Sequence, residues 1–121
     1  MNKHALKIFH DGIDSFNNKR FYDAHESFEE IWIEHDLDDR VFIQGLIQLS
    51  VAFFHITNKN RNGAIGLFRK SISKLDRYLD TTQLVVNIND VIKSTHDCYQ
   101  NIQEIKDTNE FNWTLIPTLK V

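Results

Sequence analysis

The chain has 121 residues, a length suited to one domain, and its 41% hydrophobic and 26% charged composition excludes intrinsic disorder. A formal net charge of -3 argues against nucleic acid as a partner, because that binding needs Lys and Arg to neutralise phosphates. Cys98 is the sole cysteine, so an internal disulfide is excluded. A lone Cys suits a reducing cytoplasm and is expected to act as a small buried hydrophobe.

The first residues, Met1 to Leu6, carry no apolar run, so no signal peptide is expected and the localisation read here is cytoplasmic. The first helix is expected over Lys3 to Asn18, with Leu6, Phe9, Ile13 and Phe16 on one stripe. A polar turn at Asn17-Asn18-Lys19 leads to a second helix over Phe21 to His35, with Phe21, Ala24, Phe28, Ile31 and Trp32 on its apolar side. Asp38 or Asp39 is placed to cap a third helix, Arg40 to Thr57. That helix is apolar nearly all round, and the run from Val41 to Ile56 is short for a bilayer, so it reads as a central core helix.

A fourth helix is expected over Asn62 to Leu79, with Leu67, Phe68, Ile72, Leu75 and Leu79 inward. After the turn Asp80-Thr81-Thr82, in which Thr82 is a candidate cap, a fifth is expected over Leu84 to Lys106. The remainder, residues 108–121, is apolar without helical spacing, and Ile116 before Pro117 favours extended backbone. The fold class is therefore all-α: an antiparallel bundle of about five helices built from αα-hairpins. Residues 1–107 form the bundle and 108–121 an extended arm packed on it. A repeat is also legible: Gly12 to Glu30 lies over Ala52 to Lys70 at an offset of forty, matching Phe16 with Ile56, Ala24 with Ala64 and Phe28 with Phe68. It is tetratricopeptide-like only in part, since the period is too long.

One polar constellation stands out. On the second helix His25, Glu29 and Trp32 fall at i, i+4 and i+7, a single stripe at the edge of the apolar face, while Glu26 leans to solvent. On the third, Gln44, Gln48 and His55 form another stripe on an otherwise apolar helix. Buried polar groups need partners, so the two stripes are expected to face each other in a hydrogen-bonded network. On that reading His25→Ala costs about 1–3 kcal/mol and Glu26→Ala little.

The run A-H-E-S-F-E-E-I-W over residues 24–32, then Q-G-L-I-Q over 44–48, then His55 and Gly63-Ala64, resembles the domain-of-unknown-function 309 family. The likeness covers Phe16 to Leu79 and leaves the fifth helix and the tail outside it. It implies a compact helical bundle of the kind found in bacteria and archaea, and no established reaction. The positions carrying it are His25, Glu26, Glu29, Trp32, Gln44, Gly45, Gln48, His55 and Gly63.

Three readings of the constellation are open: a structural network, a small polar pocket, and a metal or catalytic centre using His25, Glu29 and His55 with Glu26 as a base. H-E-x-x-E lacks the second His of a zincin helix, and no E-x-x-H occurs in the chain, against a ferritin-like di-iron site. No G-x-S-x-G or Gly-rich phosphate loop is present. The leading expectation is a non-enzymatic helical binding or scaffolding domain, without cofactor or metal. Its alternative is a small metal-dependent, hydrolase-like enzyme centred on His25, Glu29 and His55. Expected partners are a small ligand or peptide, or a second copy, with no nucleic acid and no membrane. The second copy would pair the acids from Glu26 to Asp39 with the basic stripe Lys70, Lys74 and Arg77.

Overall fold

The computed structural model describes every residue except Asp36 and Asp38. Among the described residues five α-helices follow in order: α1 (Lys3–Asn17), α2 (Phe21–Glu34), α3 (Arg40–Thr57), α4 (Arg61–Leu75) and α5 (Ile88–Glu104). Short 3₁₀ turns lie at Asp76–Tyr78, Thr108–Glu110 and Trp113–Leu115. Helices α1, α3 and α4 each start where a side chain satisfies an orphan N–H. Asn2 accepts from the Ala5 amide at 2.8 Å, Asp39 from Phe42 at 3.4 Å and Asn60 from Gly63 at 2.9 Å. Of the two caps expected for α3, Asp39 is the one in place; Asp38 lies outside the described residues.

The offset of forty reappears in the backbone. Lys19 and Lys59 both take a left-handed conformation, with φ of 61° and 60°. The amides of Arg20 and Asn60 each reach back 2.8 Å, to the carbonyls of Ser15 and His55. The same turn thus joins α1 to α2 and α3 to α4. The matched pairs Ala24 and Ala64, and Phe28 and Phe68, are all fully buried. Small residues at these positions let the next helix approach, and the Phe one turn later fills the core between them.

Helix α3 packs against α2 on one side and α4 on another. At 18 residues and a mean hydropathy of 1.3 it is long and apolar enough for a membrane span by those measures alone, so shortness does not assign it. Packing does: 56% of it is buried inside the bundle, as in a core helix. Phe53 is the hub, with Phe21 and Phe68 rings 5.2 Å away and Phe16 at 5.8 Å, separations typical of stacked or edge-on aromatic pairs. Where α3 meets α4, a Cβ on Gly45 would lie 2.8 Å from Leu75 Cδ2, and the Ser71 hydroxyl donates to the Gly45 carbonyl at 3.0 Å. The glycine and the serine together set how closely these helices run.

Three sequence expectations need correction here. Helix α4 stops at Leu75, and Leu79 is exposed. Tyr78 is buried in its place, packing on Phe42 and donating its hydroxyl to Asp39. Helix α5 starts at Ile88, not Leu84, and Thr82 caps nothing. Instead Asp80, at a φ of 63°, and Asn89 exchange hydrogen bonds of 2.8 and 2.9 Å across the loop, leaving Leu84 and Val86 exposed. At its far end α5 stops at Glu104, because Arg61 donates to the carbonyls of Ile102, Gln103 and Ile105 at 2.8–3.2 Å.

The tail is apolar and docked, though two 3₁₀ turns interrupt its extended course. Phe111 and Leu119 are buried. The Asn17 side chain exchanges two 2.9 Å hydrogen bonds with the Leu119 backbone, and Asn87 does the same with Thr118 and Lys120. A lone Asn side chain here does for an extended strand what a neighbouring strand would do in a sheet.

Candidate binding cleft

The α2 stripe folds as spaced. His25 Nδ1 lies 2.9 Å from the Tyr22 carbonyl, which only accepts, so Nδ1 carries the proton in that contact. Nε2 then faces Glu29 Oε2 at 3.0 Å, an ion pair when the ring is protonated. Both partners of His25 belong to its own helix. The side chains are 21% and 45% exposed, so this is a pair on a wall rather than in the core. Trp32 is also half-buried: its indole N–H donates to the Arg40 carbonyl at 3.2 Å. The Arg40 guanidinium lies 4.3 Å from the ring centroid and donates back to the Trp32 carbonyl. This reciprocal clamp holds the end of α2 to the start of α3.

Opposite the α2 wall, Gln44 and Gln48 project from α3 one turn apart. The expected network does not close. Among the described residues no hydrogen bond runs from His25 or Glu29 to either glutamine, and the Oε1 atoms of Gln44 and Gln48 are buried without a partner. The reason is local: both ring nitrogens of His25 face partners within α2, so the imidazole does not reach the glutamines. The stripes face each other over a gap of about 290 Å³, walled by His25, Glu29 and Trp32, floored by Gln44 and Gln48, and completed by Leu67 and Lys70 of α4. The sequence reading missed this α4 wall. Its signal was Gly45, because the close approach there is what draws α4 alongside the glutamines.

His55 does not join them. It lies eleven residues after Gln44, a rise of about 16 Å along a helix. Its Nδ1 accepts from the Asn60 side chain at 3.3 Å, in the turn between α3 and α4. Glu26 is exposed, off the cleft. Among the described residues no three His, Cys, Asp or Glu side chains are grouped to hold a metal ion. The trio His25, Glu29 and His55 is therefore not assembled.

Charge divides across the cleft. Glu29 stands on the α2 side and Lys70 on the α4 side. Behind Lys70 the Lys74 ammonium is held below its ordinary range, first by burial and then by the charges of Arg77 and Lys70. These cations crowd one another. A larger hollow of about 370 Å³ lies at the start of α3, between Leu37, Phe42, Ile43 and Leu84. Its carboxylate, Asp39, is already engaged by the Phe42 amide and the Tyr78 hydroxyl. The smaller cleft is the one with buried polar atoms left to satisfy.

Residues 9–67, nearly half of the chain, match the family model described as Domain of unknown function (DUF309). The matched segment runs from α1 into α4 and holds His25, Glu29, Trp32, Gln44, Gln48 and Gly45, with Lys70 just beyond it. No curated protein and no solved structure matches the chain.

Proposed function

We propose that this domain is a non-enzymatic binding module that takes a small ligand in the cleft between α2, α3 and α4. One observation carries the reading: two glutamines one turn apart line the cavity, and the Oε1 of each is buried without a hydrogen-bond partner. A buried acceptor left unmet costs about 1–3 kcal/mol, so two of them weaken the fold unless something outside the chain satisfies them. The volume is at the small end of ligand pockets, and the lining mixes apolar surface with a few aimed polar groups, as such sites do. The charged faces of α2 and α4 flank this cleft, which gives them a role within one molecule.

The metal-dependent enzyme draws no support from the geometry, since among the described residues His25, Glu29 and His55 are not grouped as a ligand set. The binding reading is tested by Gln48→Met, a near-isosteric change. Without ligand, urea denaturation should find the variant as stable as the parent or more so, by up to about 1 kcal/mol, because an orphan acceptor is gone. A loss above about 1 kcal/mol would mean that Gln48 is bonded within the fold, and the cleft reading fails.

A further inference from the structure

We infer that the ligand is a compact zwitterion of the amino-acid class, with its ammonium among Gln44, Gln48 and Glu29 and its acid group at Lys70. The inference rests on the cleft reading and deepens it. Two faces of the cleft meet with three acceptors between them: Gln44 Oε1 and Gln48 Oε1 on the α3 floor and the Glu29 carboxylate on the α2 wall. A hydroxyl brings one donor and a primary amide two, whereas a primary ammonium brings three. The glutamine backbones are about 6 Å apart along α3, and their side chains need converge only slightly to share one nitrogen. Two acceptors at normal bond length on a tetrahedral ammonium lie ~4.5 Å apart.

Charge points the same way. Glu29 is offset by His25 only in the ring's protonated form, so the α2 side favours a cation. The Trp32 ring already carries the Arg40 guanidinium and is not the natural seat for a second cation. Across the cleft Lys70 heads a crowded basic group, which an incoming acid group relieves. Between the poles Ile47, Val51 and Leu67 offer apolar surface to the body of the ligand.

The test is a titration of the ¹⁵N-labelled protein followed by NMR. The probes are L-leucine, L-leucinamide, 4-methylpentanoate and 4-methylpentanamide, which share one apolar body and differ in charge. The Trp32 indole N–H reports on the cleft, and that of Trp113, on the tail outside it, is the control. Leucine should bind most tightly, with 4-methylpentanoate at least about tenfold weaker, equal to roughly 1.4 kcal/mol. Gln44→Met and Gln48→Met should each weaken leucine by about tenfold, the cost of one hydrogen bond to a charged donor. Lys70→Ala should weaken leucine and leave leucinamide unchanged. If 4-methylpentanoate or 4-methylpentanamide binds as tightly as leucine, the zwitterion is wrong and the cleft reading stands. If no probe moves the Trp32 signal at roughly tens of millimolar, a range that detects even millimolar affinity, both readings fall.

Discussion

His25 shows how a residue can be placed correctly and still be given the wrong energy. Its stripe with Glu29 and Trp32 forms as the helical spacing requires. Its bonds, however, are to Tyr22 and Glu29 of the same helix, and Glu29 is nearly half exposed. An exposed pair one turn apart contributes only about 0.3–0.5 kcal/mol. His25→Ala is therefore expected to cost under about 1 kcal/mol in equilibrium denaturation, less than a residue of a buried network would. A loss near 3 kcal/mol would reinstate a cross-helix partner. The glutamines carry the opposite lesson: Gln44 and Gln48 were legible as polar side chains on an apolar helix, but not as orphans. Whether a buried oxygen has a partner depends on atoms from other elements, which spacing along one helix does not contain.

Among the elements, α3 and α4 illustrate what small residues do. Gly45 faces Leu75, itself fully buried, with no room for a methyl group. Gly66, on the same helix pair, would find nothing within 4 Å of an added Cβ. Gly45→Ala should destabilise by about 1–3 kcal/mol through overpacking, partly offset by better helix propensity. Gly66→Ala should stabilise by about 0.5–1 kcal/mol, since only the backbone term acts. Urea denaturation of the two variants side by side checks this. A shift in the same direction for both would show that the close approach at Gly45 is not limiting. The repeat belongs to this scale too: the matched left-handed Lys19 and Lys59 show that the offset of forty reflects a shared turn as well as a shared pattern.

Across the whole molecule the tail seals the bundle, and Cys98 reports on the seal. The thiol is fully buried and donates to the Leu115 carbonyl of the tail at 3.5 Å. Burial, with a smaller push from the charge of Asp97, raises it from an ordinary 9.0 to about 12. A raised thiol stays neutral and unreactive until pH approaches the raised value. Labelling by a disulfide reagent at pH 8 should accordingly be slow, and its rate should keep climbing past pH 9 instead of levelling there. Asn17→Ala removes both side-chain bonds to Leu119. Two such bonds are worth about 1–3 kcal/mol, so labelling through local opening of the tail should speed up by about fivefold or more. An unchanged rate would mean that the tail does not guard Cys98.

The sequence by itself determined the number and order of the helices, most of their inward stripes, the pattern repeated at an offset of forty and the family resemblance. Each of these is written in local spacing: apolar residues at 3.6-residue intervals, Asn and Asp at helix starts, and few breakers. It also marked five of the cleft's residues, because polar side chains on apolar faces are visible in a single helix. Tertiary structure alone decided the rest. It left His55 at the far turn, added Leu67 and Lys70 as a third wall, ended α4 at Leu75 because Tyr78 reaches Asp39, and delayed α5 to Ile88 because Asp80 and Asn89 close the loop. These outcomes depend on contacts between residues distant in the chain, and no local period encodes them. That is why the polar stripe on α2 could be read directly, while the unfilled space beside it could not.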